Sequence, residues 1–385
     1  MHTAVASSEP QVGGRPSAES DAVLADALAA VAPADANPPA AAASKMPPGT
    51  IEVCGYGPVS REALAAVEEG QPPAWMQAVD AKYEAERQAL LKRLAGGSTR
   101  QRVAAALLGD DVQAAAQIAV GTDDPIAYQI ALMACRRDEA YRQVVARQRA
   151  WLKTPAASGV AQSELREPGP QPSNCAALGV ERLEAMAPGE TLPALMRLTD
   201  AMDRSDEAGV SQALYQIAQR SRQRLKARAL SAAVADAVGD EPAPGETMAL
   251  SSAVSQDMMS STTDSLGSLY RVCRNESLRD ANRRQLCEQV VRQMGGQASE
   301  VLEASALYTL ETRLGLPHGP LSLPREESQR LMQAMGEQSE RWLSAPSCAN
   351  LSGAGKQVIG LARQGELAYL RAQVRKAPAS ASAPR

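Results

Sequence analysis

The sequence predicts an all-α protein of stacked antiparallel helix pairs, and three observations carry that expectation. Phenylalanine is absent from the 385 residues and aromatic residues make up only 3% of them, whereas sheets draw on aromatic and β-branched side chains. Apolar residues, 44% of the chain, recur at spacings of three and four, the period of one helical face. Gly, Pro, Asp and Ser punctuate these runs where short helices need caps and stops. A core of Leu, Ala, Val and Met is expected.

Taken in order, residues 1–48 are rich in Ala, Pro and Ser and read as a disordered tail, with a short helix over Asp21–Val31. Thr50–Val59 is the one strand-like piece. A lone strand makes no sheet, so it is expected to lie as an extended arm on an N-terminal helical region, 49–153. Gly55 and Gly57 suit a turn; they lack the G-x-G-x-x-G spacing and the βαβ pattern of a dinucleotide loop. Ser60 opens a short helix. Pro73 leads a long one carrying Met76, Val79, Tyr83, Leu90, Leu91 and Leu94, stopped by Gly96 and Gly97. Ser98 caps the next helix, Asp110 and Asp111 begin another, and Asp124-Pro125 starts a fourth. Arg136-Arg137-Asp138 reads as a break before a helix with Tyr141, Val144, Val145 and Trp151.

Residues 154–173 are rich in Pro and Gly and read as a linker to a C-terminal helical region, 174–376. There, Thr191 caps a helix that accepts Pro193 in its first turn, with Leu195, Leu198 and Met202 on one face. Asp206 caps the following helix, with Val210, Leu214, Ile217 and Ala218 in a stripe. So short a turn makes the two antiparallel. Further helices are expected at 224–238, 247–260, 263–274, 278–294, 298–314, 325–343 and 355–376, before a disordered tail at 377–385.

The spacing over Leu195–Ala218 resembles one degenerate tetratricopeptide repeat. Leu195, Leu198, Thr199, Met202, Ser211, Tyr215 and Ala218 stand at its large, small and aromatic positions. Leu195 replaces the usual Trp, Thr199 the Gly, and Gln223 the closing Pro. No clean second copy follows at a period of about 34 residues, and a generic helical hairpin satisfies much of the same pattern. The resemblance implies a TPR-like stack; the alternative is an irregular α-solenoid.

The function classes narrow by exclusion. A formal net charge of −4 gives no electrostatic footprint for nucleic acid. No apolar run is long enough to span a bilayer. His2 and His318 are the only histidines, so a Ser-His-Asp or Cys-His arrangement would have to use His318. It sits in a proline-punctuated loop and reads as solvent-exposed. The cysteines lack zinc-ligand spacing, and Asn350–Lys356 departs from a phosphate loop at its first Gly, after its Lys and in having no preceding strand. No catalytic residue, metal site or cofactor is expected.

Two features remain. Cys273 and Cys287 lie on facing apolar stripes of consecutive helices, as a disulfide or as two buried thiols; Cys135 with Cys175 and Cys54 with Cys348 are the other pairings considered. Arg220, Arg224 and Arg228 share one helical face, either to hold an acidic partner or as a solvated surface. The leading expectation is a non-catalytic scaffold that binds a protein or peptide. The alternatives are an exported structural protein with disulfide-held helix pairs, and an enzyme with a carboxylate and arginine site in a helical cleft. Six cysteines and the Ala/Pro-rich start lean toward an exported, periplasmic setting. The first twenty residues show no basic and apolar signal pattern, which leaves the cytoplasm as the alternative.

Overall fold

In the computed structural model, residues 47–60, 74–152, 173–220, 225, 228–260, 263–274, 276–343 and 347–376 are described. Both tails, the helix at Asp21–Val31, the one opened by Ser60 and the 154–173 linker lie outside them, save the ends Pro47, Pro48 and Ser173. The fold is all-α, with fifteen α-helices among the described residues.

The extended arm is in fact a hairpin. Thr50–Val53 (β1) pairs antiparallel with Gly57–Ser60 (β2). Gly55 and Gly57 turn the chain between them at φ +85° and +112°, where a side chain would be strained. Val53 and Val59 pack with Val79, and Tyr83 donates its hydroxyl to the Cys54 carbonyl at 2.8 Å. The hairpin thereby gains the hydrophobic partner that two strands lack alone.

Four helices follow: α1 (Ala74–Ala95), α2 (Thr99–Leu108), α3 (Val112–Val120) and α4 (Pro125–Leu152). Ser98 and Gln101 form a reciprocal capping box on α2, and Asp111 caps α3. The break expected at Arg136-Arg137-Asp138 is absent, and α4 runs unbroken for 28 residues. Charge alone does not stop a helix that has no Pro or Gly. Here Arg142 returns to Asp138 one turn back, while Arg136 pairs with Asp200 and Arg137 with Gln256.

A short 3-10 turn (Ser173–Ala177) leads into α5 (Val180–Met186), α6 (Thr191–Asp203) and α7 (Glu207–Gln219). Asp206 caps α7 by accepting from Gly209 N at 2.9 Å. The helix expected from Arg224 begins only at Ala229, as α8 (Ala229–Ala235); α9 (Pro244–Ser260), α10 (Thr263–Val272), α11 (Ala281–Met294) and α12 (Val301–Leu314) follow. After α13 (Arg325–Leu343), the single helix expected over 355–376 is two, α14 (Cys348–Gln364) and α15 (Glu366–Lys376). They are separated by Gly365 at φ +83°.

Two apolar clusters fill the interior. The first gathers α1 to α5 around α8 and α9, and includes Leu90, Leu107, Tyr128, Leu183, Val234 and Leu250. The second gathers α7, α10 to α13 and α15, and includes Leu214, Leu269, Val291, Leu307, Leu331 and Leu370. Two helices face both. On α6, Leu192 and Met196 enter the first cluster while Leu195 and Leu198 enter the second; on α14, Ile359 and Leu361 divide the same way. Helices from both sides of residues 154–173 share the first cluster.

The packing is not that of a tetratricopeptide stack. In a solenoid each unit touches only its neighbours. Here α9 packs on α1 and on α14, and α8 on α2, α4 and α14. The α6–α7 hairpin itself forms, but Tyr215, the aromatic of the resemblance, is 56% exposed. Its Leu195, Val210 and Ile217 are buried in the second cluster.

Candidate functional site

The polar interior centres on α8. Its seven residues, ALSAAVA, are nearly all buried. A helix this short in an apolar surrounding leaves amides and carbonyls unpaired at both ends, and other helices supply the partners. Asp257 of α9 accepts from Leu230 N at 3.2 Å and Ser231 N at 2.7 Å. At the other end, Arg363 of α14 donates to the carbonyls of Ala235 and Val238 at 3.0 and 3.3 Å, and pairs with Asp240. Sequence spacing held no sign of this, because the caps come from 26 and 128 residues away.

Arg228 stands at the start of α8 and is 8% exposed. Its guanidinium pairs with Glu366, the first residue of α15, and lies 3.3 Å from Glu300, which precedes α12. Three helix beginnings therefore meet at one buried arginine. Glu303, in the first turn of α12, accepts from Ser299 N at 2.9 Å, and Ser299 O accepts from Leu367 N at 3.0 Å. The carboxylates suit the positive ends of α12 and α15. Burial nevertheless pushes Glu300 up, Glu303 up to about 7 and Asp257 up to about 6.

These placements change the reading of the predicted basic face. Arg220 and Arg228 do not share a helix, since α7 ends at Gln219 and α8 starts at Ala229. Arg220 pairs with Glu184 of α5 and donates to the Glu190 carbonyl at 3.1 Å. Both guanidinium groups are committed within the chain, and Arg224 lies outside the described residues. The sequence missed the role of Arg228 because its acidic partners lie far along the chain, at Glu300 and Glu366.

A cavity of about 20 Å³ adjoins Asp257, lined by Gln129, Arg137, Gln256, Leu192 and Leu230. That volume admits about one water molecule, not a substrate. Arg137 in its lining donates to the Gln256 backbone and side-chain oxygens at 3.1 and 3.0 Å.

His318 sits in its expected loop with a side chain 43% exposed. Its Nδ1 lies 3.2 Å from Glu311, and its ring stacks on Tyr308 with centroids 4.0 Å apart. Glu311 is 2% exposed and also accepts from Gly319 N and the Ser322 hydroxyl. Ser322 thus donates to the carboxylate and not to the imidazole, so the three groups do not form a nucleophile relay. They hold the loop onto α12.

The glycines of Asn350–Lys356 lie within α14, and a side chain at Gly355 would collide with Pro242 and Thr247. Gly355 serves helix packing. Among the described residues no group of three His, Cys, Asp or Glu side chains could hold a metal ion, and no helix is long and apolar enough to cross a membrane.

All six cysteines are paired. Cys273 and Cys287 join the end of α10 to α11, with Cα atoms 5.8 Å apart. Cys135 of α4 joins Cys175 of the 3-10 turn at 5.6 Å, and Cys54 of the hairpin joins Cys348, the first residue of α14, at 4.5 Å. Compared with protein-family models, curated proteins and solved structures, the chain matches none.

Proposed function

We propose that this chain is a non-catalytic helical scaffold that works in an oxidising, exported compartment and binds a protein partner. The observation that carries the compartment is the pairing of all six cysteines, with no free thiol. Disulfides persist where the environment is oxidising and are rare where glutathione and thioredoxin keep thiols reduced. Two of these bridges join segments 40 and 294 residues apart, and so fix the tertiary arrangement of distant segments.

The scaffold part rests on how the polar groups are used. Asp257, Arg228, Glu366 and Glu311 each satisfy helix ends, buried charges or loop amides. The cavity beside Asp257 has no room for a substrate, and in the wider groove lined by Asp138, Glu139 and Asp203 the arginine, Arg136, is paired with Asp200. The basic residues Arg220 and Arg228 are spent on internal pairs, which moves the partner surface away from them.

The reading is tested by fractionating native cells and reacting each fraction with a maleimide tag of known mass before and after reduction. It expects the chain outside the cytoplasm, unlabelled until reduced, and cross-linked to another protein by a short amine-reactive reagent. Recovery in the cytoplasm with six reactive thiols would contradict the compartment. Recovery of only uncross-linked monomer from the exported fraction would contradict the partner.

A further inference from the structure

We propose that the buried cluster of Arg228, Glu366, Glu300 and Glu303 is a pH-sensitive joint between the two apolar cores, closed under mildly acidic conditions and loosened at neutral and alkaline pH. The geometry is the first support. Arg228 leads α8, which packs in the first cluster, while α12 and α15 pack in the second. The joint is therefore where charged groups from the two cores meet, and α15 is tied to it through Glu366 and through the Leu367–Ser299 backbone bond.

The charge balance is the second support. From α8 the cluster receives Arg228; from α15, Glu366; from the start of α12, Glu300 and Glu303. Asp257 of α9 also feels the Arg228 charge, which favours its ionised form. The helices α10, α11 and α13 meet α12 through the apolar cluster of Leu269, Val291 and Leu331. The arginine pairs with Glu366 and Glu300, Glu303 adds its like charge beside Glu300, and the arginine Nη1 is buried with no hydrogen-bond partner among the described residues. Full ionisation leaves like charges together in a low-dielectric setting, which is costly.

The direction follows from linkage. Glu303 and Asp257 hold their protons to higher pH when folded than the ordinary 4.5 and 3.8. The folded chain then binds more protons than the unfolded chain between about pH 4 and 7, so stability falls as pH rises through that window. The opposite case, Glu84, is held down to about 2 by hydrogen bonds from Arg87 and Gln88. It acts only at pH values below the window.

The test uses the full oxidised chain. Urea unfolding and amide exchange across α15 are followed from pH 5 to pH 8, with exchange corrected for its intrinsic pH dependence. The wild type is expected to lose at least about tenfold in its unfolding equilibrium constant over that range, with α15 opening more readily than α2. Glu303→Gln and Glu300→Gln, each neutral at every pH, are expected to reduce the loss at least about threefold. A wild-type stability that is flat or rises from pH 5 to 8 overturns the proposal without any variant. An unchanged pH response in both folded variants overturns it as well.

Discussion

At the scale of single residues, the fold depends on polar side chains that finish other helices. Asp257 is the clearest case. Two α8 amides donate to it at 3.2 and 2.7 Å in a site that is nearly dry. Asp257→Ala removes both acceptors and leaves the two buried amides at most the single water that the adjoining cavity admits. It is expected to lower stability by about 1–3 kcal/mol, read as a lower urea midpoint at unchanged slope. The loss is expected to be smaller at pH 8 than at pH 5, because the Asp257 carboxylate is the costlier form when buried. Local caps such as Ser98, Asp111 and Asp206 were legible in the sequence, since donor and acceptor lie within three residues. Asp257 and Arg363 were not, because they act across distances that no window covers.

At the scale of elements, apolar spacing located most helices and failed where charge or tertiary contact decided. It broke α4 at Arg136-Arg137-Asp138, although each arginine there finds a partner that keeps the helix whole. It drew one helix through Arg224–Val238, although the buried stretch begins at Ala229. It merged α14 with α15, because spacing does not show that Gly365 takes a positive φ that ends the helix. The α14–α15 corner makes its own prediction. A side chain at Gly360 would overlap the Tyr369 ring. Gly360→Ala is therefore expected to destabilise by about 1–3 kcal/mol through overpacking, despite the better helix propensity of Ala. In a Tyr369→Ala background, Gly360→Ala is expected to lower the melting temperature less than it does in the wild type. A single variant as stable as wild type would show that the corner is not closely packed.

At the scale of the whole molecule, two apolar clusters share α6 and α14 as walls, and the described residues fold as one compact unit. The all-α class was legible because composition and helical period agree. The repeat resemblance is not confirmed, because seven positions of one hairpin say nothing about which helices its faces meet. Candidate chemistry was legible only in part. His318 lies in its loop, but its tie to Glu311 needed the fold to appear. The three bridges complete the molecular picture. In the chain-entropy model the 14-residue separation of Cys273 and Cys287 contributes about 3 kcal/mol, and wider loops more. The most direct measurement is non-reducing peptide mapping by mass spectrometry of the protein from its native cells, with thiols blocked at lysis. The account predicts three cross-linked species, Cys54–Cys348, Cys135–Cys175 and Cys273–Cys287, and no blocked cysteine. Six blocked cysteines, or bridges between other partners, would contradict it.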